Sequence, residues 1–338
     1  MLNIYTYGSE ECANFLEKLE KRASSPSAEI IKTVTDILND VKENGDAALL
    51  KYTEKFDGVS LTSQTLEMPK EQLEKYAENL PDDLKKTICR AAENIKKYHE
   101  KQLRNTFFDT DDTNKLTGMR VAPKQRAGIY VPGGTAAYPS SVLMNCIPAK
   151  VAGVKEIIMT TPLRDGQIPA AVAYSALIAG VDRVFLCGGA QGVAALAYGT
   201  QTVPAVDVIA GPGNIYVATA KRLVYGTCDI DMIAGPSEVL VIADETANPE
   251  YIAADLLSQA EHDAVASSIL LTTSAELAKQ ASVCLEKQLA KLSRTEIASK
   301  SVQDYGAAIV CEDKNTCFEL ANRIAPEHLE LLTKNPMS

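Results

Sequence analysis

The feature that most constrains the fold is a change of rhythm near residue 126. From there on, short apolar runs alternate with longer stretches that have the composition of helices. The strand-like runs are GIYV (128–131), EIIMTT (156–161), RVFLC (183–187), VDVIA (206–210), EVLVIA (238–243), SILLTT (268–273) and AAIV (307–310). Strand–helix alternation of this kind predicts a mostly parallel sheet that is covered by helices on both faces. The predicted fold class is therefore α/β.

Residues 27–105 predict helices instead. Apolar residues recur there at helical spacing, and NGD at 44–46 should end one helix and begin the next. The polar stretch 109–118 predicts a linker or a hairpin. The length of 338 residues suggests about two domains. We expect an N-terminal arm (1–25), a discontinuous first α/β domain (26–126 with 238–338) and a second α/β domain (127–237).

Charge and hydropathy narrow the choice of partners. The formal net charge is −10 and the pI is near 5.0, so an acidic surface should repel phosphate backbones and anionic lipid. We therefore expect neither a nucleic acid nor a membrane as a partner. The first 22 residues contain early acidic residues and no apolar block, which is unlike a secretory signal. The most apolar stretch, 170–181, is too short to span a bilayer. We expect a cytoplasmic protein.

The chain has eight cysteines, and no two of them are spaced as C-x-x-C. The sequence therefore contains neither a zinc knuckle of that kind nor a dithiol redox motif. Cys187 follows a strand-like run and precedes GGAQG, so it could be a nucleophile at a helix N-terminus. A buried structural cysteine is the favoured alternative, because no histidine lies nearby in the sequence.

Three glycine-containing loops follow predicted strands. They are YVPGGTAAYPSS (130–141), CGGAQG (187–192) and AGPGNIY (210–216). Ligands of open α/β sheets bind at the carboxyl ends of strands, glycine lets the backbone approach a ligand, and helix N-terminal amides favour phosphate. None of the loops has the dinucleotide fingerprint G-x-G-x-x-G, and each could be only a tight turn. Three in succession predict a nucleotide-sized cleft.

The three histidines occur in different settings. His99 lies in the charged run KKYHEK, which is typical of a solvated helix face. On a helix predicted over 249–264, Gln259 and His262 share a face, with Asp255 one turn earlier. An imidazole nitrogen and an amide oxygen could hold a divalent metal, zinc above all, although two ligands are too few for a closed site. An ordinary polar helix face is the alternative.

The third histidine, His328, follows Glu327 and Pro326. Proline disfavours helix at Ala325, so Glu327 and His328 should begin a new element or lie in a loop. Adjacent side chains diverge by about 100° on a helix and about 180° on a strand, so the two groups could serve separate proton transfers. A carboxylate and an imidazole suit base chemistry near neutral pH. Ser237, just before a predicted strand, is interpreted as a ligand-binding hydroxyl or a turn cap rather than a nucleophile.

Seven stretches together resemble histidinol dehydrogenases. They are GIYVPGG, VLMNCIPAKVAGV, CGGAQGVAALAYGT, VDVIAGPGNIYVATAKR, DMIAGPSEVLVIAD, LLSQAEHD and RIAPEHLEL, and they occur in the order of that family. The resemblance implies a zinc-dependent enzyme that oxidises L-histidinol to L-histidine through the aldehyde, as the final steps of histidine biosynthesis, with two NAD. It also implies two related domains of the aldehyde-dehydrogenase-like type and a homodimer.

The resemblance also implies roles for individual residues. Glu327 and His328 match catalytic acid–base residues. The residues that match ligand contacts are Gln259 and His262 for zinc, Ser237 with Gln259 and His262 for the substrate, and Tyr130, Gln191 and Asn214 for the cofactor.

The sequence departs from the family pattern after LLTKNPMS (331–338). The family continues there with a segment that carries an aspartate and a histidine of the zinc site and that reaches into the partner subunit. We therefore expect a truncated or partial sequence, with impaired zinc binding and activity. The first alternative is a non-catalytic fragment or paralogue that retains a nucleotide-binding scaffold. The second is an aldehyde-oxidising enzyme of the wider fold group, which is disfavoured because Cys187 lacks the surroundings of a nucleophile.

Overall fold

The computed structural model describes residues 2–22, 26–110, 113–133, 138–164, 166–233 and 235–337. Helices and strands are numbered in chain order. The helices are α1 (Glu10–Arg22), α2 (Ala28–Asn44), α3 (Asp46–Asp57), α4 (Lys70–Glu78), α5 (Asp82–Glu100), α6 (Pro139–Ala152), α7 (Ala170–Ala179), α8 (Gly189–Tyr198), α9 (Ile215–Val224), α10 (Pro249–Ala260), α11 (Ala275–Leu289), α12 (Thr295–Tyr305) and α13 (Lys314–Ile324). The strands are β1 (Asn3–Thr6), β2 (Phe107–Thr110), β3 (Leu116–Met119), β4 (Arg126–Tyr130), β5 (Glu156–Thr160), β6 (Arg183–Phe185), β7 (Val208–Ala210), β8 (Asp229–Ile230), β9 (Glu238–Ala243), β10 (Ser267–Thr272), β11 (Gly306–Val310) and β12 (His328–Leu332).

The chain forms two compact units. Unit 1 comprises residues 1–25 and 235–338, and unit 2 comprises residues 26–234. Each contains one five-stranded sheet in which all pairings are parallel. The predicted α/β class with two parallel-sheet domains is confirmed.

The sheet of unit 1 has the order β1-β11-β10-β9-β12. Its inner strand β9 is buried on both faces, because Val239 and Val241 point into one hydrophobic core while Leu240 and Ile242 point into another. Helices α10, α11 and α12 cover the first face, and α1 and α13 cover the second. This double coverage explains why EVLVIA is a continuous apolar run rather than an alternating one.

The sheet of unit 2 has the order β6-β5-β4-β7-β8. Helices α2, α3, α8 and α9 contribute to the core on one face, and α4, α5, α6 and α7 contribute to the core on the other. The predicted break at NGD is confirmed, since Gly45, with a φ of 55°, separates α2 from α3. Strands β2 and β3 pair antiparallel as a hairpin, one of the two alternatives predicted for 109–118.

The division of the chain differs from the predicted one. Residues 26–126 were expected to join 238–338, yet helices α2 to α5 pack on the sheet of unit 2. Residues 1–25 are not a separate arm, because β1 pairs with β11 and α1 covers a face of the unit 1 sheet. The sequence prediction was wrong here because an apolar helical stripe shows that a helix is covered but not which sheet it covers.

No helix within the described ranges is long and apolar enough to cross a membrane.

Candidate active site

The candidate residues of unit 1 lie at the amino-terminal edge of its sheet. Ser237 directly precedes β9, and His328 opens β12, where it pairs in register with Val239. Gln259 is in the last turn of α10, which returns the chain to the start of β10. The general rule for open α/β sheets points to the opposite, carboxyl edge. In unit 1 the candidates therefore gather at the edge that the rule does not predict.

Glu327 and His328 begin a new element, as predicted from Pro326. Helix α13 ends at Ile324 and is capped by Ala325, which has a φ of 50°, and His328 is the first residue of β12. The distance from Glu327 Oε1 to His328 Nε2 is 3.9 Å, and each side chain is about half exposed. This distance is too long for a direct hydrogen bond. Both groups are therefore accessible and can act on different protons.

Helix α10 is shorter than predicted, because it ends at Ala260 rather than near residue 264. A turn follows the helix at Asp263, whose side chain accepts a hydrogen bond from the amide of Val265 at 3.1 Å. His262 therefore lies beyond the helix, but its amide still donates to the carbonyl oxygen of Gln259 at 3.0 Å. The predicted proximity of these two residues is retained by a turn and not by a helix face.

Glu330 is a residue of this edge that sequence reasoning missed. Burial raises the pKa of the Glu330 carboxyl, the charge of Asp255 and a hydrogen bond with it raise the pKa further, and His328 lowers it. Asp255 on α10 therefore faces Glu330 on β12. Helix α10 runs opposite to the strands. The four residues from Asp255 to Gln259 advance about 6 Å along the helix, and the two residues from Glu330 back to His328 cover about 6.6 Å along the strand. This geometry places Gln259 at the level of His328.

Arg22 is a second residue that the sequence did not reveal. Its guanidinium, at the end of α1, pairs with Glu238 and donates through Nη1 to the carbonyl oxygen of Val265 at 2.7 Å. The side chain of Arg22 is only 3% exposed. Arg22 therefore ties the segment that follows Ser237 to the turn that follows His262.

The zinc donors implied by the resemblance are partly provided. Imidazole nitrogen is a common zinc ligand, whereas a carboxamide oxygen is a weaker one. Among the residues that the structure describes, no cluster of three or more His, Cys, Asp and Glu side chains could hold a metal. Gln259 and His262 thus do not make a zinc site by themselves.

The candidate residues of unit 2 lie at the carboxyl edge of its sheet, as predicted. Tyr130 ends β4, Gln191 is in the first turn of α8 after β6, and Asn214 precedes α9 after β7. The hydroxyl oxygen of Tyr130 accepts a hydrogen bond from the amide of Gly189 at 3.0 Å. Tyr130 therefore connects the first and second glycine loops. Residues 134–137 of the first loop lie outside the described residues.

Gln191 has the most unusual environment in unit 2. Its side chain is completely buried, and neither its Oε1 nor its Nε2 has a hydrogen-bond partner in the described structure. Gly189 makes room for it, because a Cβ at that position would stand 2.4 Å from Gln191 Oε1, and the φ of +59° also favours glycine. An unsatisfied buried polar group costs about 1–3 kcal/mol. Such a group in a strand-to-helix turn indicates a ligand site with which the carboxamide can pair.

The loop that holds Asn214 is fixed by internal hydrogen bonds. The side-chain oxygen of Asn214 accepts from the amides of Tyr216 and Val217, both at 3.1 Å. The buried Lys221 donates to the carbonyl oxygen of Gly211 at 2.8 Å and pairs with Asp231, which accepts from the amide of Gly211 at 2.8 Å. These amides were expected to favour phosphate. Instead, they are satisfied by side chains of the protein itself.

Cys187 and His99 belong to neither of the two groups of candidate residues. The thiol of Cys187 is completely buried, and burial raises its pKa, as does the nearby charge of Asp57. A buried thiol with a raised pKa is a poor nucleophile, which agrees with the disfavoured status of that interpretation. His99 lies on α5, where its Nδ1 is 2.6 Å from Gln102 Oε1 at an exposed position.

Comparison with known proteins gives consistent matches across the chain. The sequence profile of the family described as histidinol dehydrogenase matches residues 20–338. The chain is 50% identical over 337 residues to histidinol dehydrogenase of Clostridium acetobutylicum, covering 99% of this chain and 78% of the relative. It is 53% identical over 323 residues to that of Aquifex aeolicus, covering 96% of this chain and 75% of the relative.

A solved structure gives the same match in three dimensions. The crystal structure of histidinol dehydrogenase from Elizabethkingia anophelis superposes with a TM-score of 0.91 at 37% identity. The match covers 99% of this chain and 76% of the other. The chain thus spans about three quarters of the length of these relatives.

Proposed function

This chain belongs to the histidinol dehydrogenase family, and from that premise we propose that it oxidises L-histidinol to L-histidine through L-histidinaldehyde, with two NAD consumed per histidinol. The observation that carries the proposal is the pairing of Glu327 with His328 at one accessible edge, 3.9 Å apart and without a direct hydrogen bond. In a two-step oxidation an alcohol and later a water molecule each lose a proton, and two accessible side chains can serve as separate acceptors.

In the first oxidation, His328 accepts the proton of the substrate hydroxyl as the hydrogen on the same carbon departs as hydride. NAD supplies the hydride acceptor in both oxidations, and this redox chemistry belongs to the cofactor. In the second, Glu327 accepts a proton from the water that adds to the aldehyde carbon, which gives the hydrate that is oxidised to the acid. Ser237, which precedes β9 on the same edge as His328, is assigned to substrate binding.

Gln191, Tyr130 and Asn214 are assigned to the cofactor. The support for this assignment is the buried carboxamide of Gln191, which has an acceptor and two donors without partners in the described structure. The Tyr130 hydroxyl supports the same turn through Gly189. The carboxamide NH2 of the Asn214 side chain can still donate after its oxygen has capped α9. The site is therefore suited to a neutral, hydrogen-bonding part of a ligand.

Gln259 and His262 are assigned to the substrate and to zinc, which they would hold together with further donors. When bound, zinc would polarise the substrate oxygen as a Lewis acid. The proposal that they act together is supported by the hydrogen bond from the backbone amide of His262 to the backbone carbonyl oxygen of Gln259, which keeps the two residues adjacent.

A homodimer is also part of the proposal. The β2–β3 hairpin has four large apolar side chains that are each more than half exposed: Phe107, Phe108, Leu116 and Met119. Exposed apolar surface of this kind is typical of protein–protein interfaces. A second copy of the chain is the proposed partner, and light scattering of the purified protein measures the assembly. A cytoplasmic location stays a prediction.

The activity itself is tested with purified protein, L-histidinol and NAD. We expect two NADH and one histidine per histidinol, and a His328→Gln variant should lose more than a hundredfold in kcat. His99→Gln is the matched control, since His99 is an exposed histidine on α5. The proposal would be overturned if the protein formed no NADH from histidinol, or if both variants behaved alike.

A further inference from the structure

The turn between β6 and α8 has the geometry of an anion-binding site. Successive backbone amides at a strand-to-helix turn can form a concave cradle for a negative charge. Here the two amides that begin the turn are already used. The Gly188 amide donates to Asp57 Oδ2 at 3.0 Å, and the Gly189 amide donates to the Tyr130 hydroxyl at 3.0 Å. The first amide of the turn is therefore satisfied by a carboxylate of the protein, and the second by a neutral hydroxyl.

Asp57 is well placed to hold the turn. It is the last residue of α3, and Gly58 ends that helix with a φ of 70°. Helix α3 contributes to the same core as α8, which brings the Asp57 side chain against the turn. Asp57 Oδ1 would stand 3.2 Å from a Cβ atom added at position 188, so the carboxylate lies close to the backbone of Gly188. Burial raises the pKa of Asp57, and the hydrogen bond from Gly188 opposes this rise.

Among the described residues of the turn, the buried side chain that has no hydrogen-bond partner is the carboxamide of Gln191. The carboxamide lies against Gly189, which is the residue that Tyr130 holds. Its position therefore depends on the conformation of a turn that Asp57 and Tyr130 fix from two sides.

We propose that Asp57 is a positioning residue of the cofactor site. Its carboxylate occupies the Gly188 amide of the 187–191 turn, helps to hold the carboxamide of Gln191 in place and excludes phosphate. This inference rests on the proposed function, and it adds a specificity: the turn receives an uncharged, hydrogen-bonding part of the cofactor and not its pyrophosphate. A phosphate group would find the Gly188 and Gly189 amides already used and would be repelled by the negative charge of Asp57.

Three variants test the proposal. Asp57→Ala removes the acceptor, and Asp57→Asn keeps an oxygen for the Gly188 amide but removes the charge. Asp36→Asn is the control, because Asp36 is exposed on α2 in the same unit. In Asp57→Ala we expect the KM for NAD to rise about tenfold, with kcat and the KM for histidinol within about twofold of the unmodified protein. Inorganic phosphate should now compete with NAD. Asp57→Asn should largely restore the KM for NAD and the resistance to phosphate.

Hydrogen exchange of the cofactor-free protein provides a readout that does not depend on activity. We expect amide exchange at 188–191 to become about tenfold faster in Asp57→Ala and to remain near normal in the other two variants. Unchanged exchange in Asp57→Ala would overturn the inference. So would a fall in kcat accompanied by an equal rise in the KM for NAD and the KM for histidinol, or inhibition of the unmodified protein by phosphate. If the unmodified protein did not reduce NAD, the proposed function would fail, while exchange would still report whether Asp57 holds the turn.

Discussion

Arg22 and Glu238 form an ion pair in which the guanidinium is almost completely buried. The pair joins the end of α1 to the first residue of β9, next to Ser237. Removal of one partner of a buried pair leaves the other charge without compensation and costs about 3–5 kcal/mol. For Arg22→Met we expect the free energy of unfolding to fall by about 3 kcal/mol, the lower end of this range, because the Glu238 side chain is 21% exposed. Urea denaturation measures the change in the free energy of unfolding.

The double variant Arg22→Met with Glu238→Leu is the control for this prediction. Replacement of both charges by apolar side chains should recover most of the loss, since no unpaired charge remains. An Arg22→Met protein as stable as the unmodified protein would show that the pair contributes nothing.

Glu327→Gln should separate the two oxidations. Glutamine has the size of glutamate but cannot accept a proton from water, so the aldehyde should form while acid production falls at least a hundredfold. Single-turnover assays with histidinol and with histidinaldehyde measure the two steps. An equal loss of both steps would contradict the division of roles between Glu327 and His328.

His262→Ala should lower the zinc content of the purified protein, while His99→Ala should not. Both changes remove an imidazole that is at least partly exposed, but only His262 lies beside Gln259. We expect at least a tenfold weaker affinity for zinc in His262→Ala, measured by titration with the metal. Equal zinc binding by the two variants would refute the assignment of His262 as a donor.

Gln191→Leu should make the cofactor-free protein more stable but weaken its binding of NAD. The change removes two buried polar atoms that have no partners within the described ranges, so we expect a gain of about 1 kcal/mol in the free energy of unfolding. The KM for NAD should rise at least tenfold over the same change. A Gln191→Leu protein that was less stable would indicate that the carboxamide has a partner inside the protein.

Asp244 should make unit 1 sensitive to acid. Burial raises the pKa of this carboxyl, but hydrogen bonds from Thr246, Lys314 and the Lys334 amide outweigh burial and leave the pKa well below its usual value of about 3.9. The group therefore stabilises the fold above about pH 4, and this contribution is lost as the pH falls further. The cause is that the unfolded chain then binds the proton more readily than the folded chain.

For Asp244→Asn we expect the free energy of unfolding to fall by about 2 kcal/mol near pH 7. This difference should shrink toward zero as the pH falls below about 4. Urea denaturation at both pH values measures the difference, and Asp36→Asn serves as the exposed control. A difference between the two proteins that did not change with pH would contradict the assigned role of the carboxylate.

The sequence by itself determined the features that depend on local patterns. Continuous apolar runs such as EVLVIA predicted strands buried on both faces, because a strand between two layers of helices has no solvent face. Pro326 predicted the new element at Glu327 and His328, because proline restricts the residue before it. The glycine loops predicted strand-to-helix turns, and Gly189 shows the reason in its φ of +59°.

Only the tertiary structure decided which distant segments meet. Arg22 and Glu238 are separated by 216 positions, and Asp57 and Gly188 by 131, yet each pair fixes a candidate site. The same holds for helices α2 to α5, which the sequence assigned to the wrong sheet, and for Glu330, which gains its partner Asp255 from another element. The physical reason is that backbone preference and hydrophobic period act over a few residues. The choice among partners depends instead on how whole helices and strands bury their surfaces together, which no short stretch of sequence encodes.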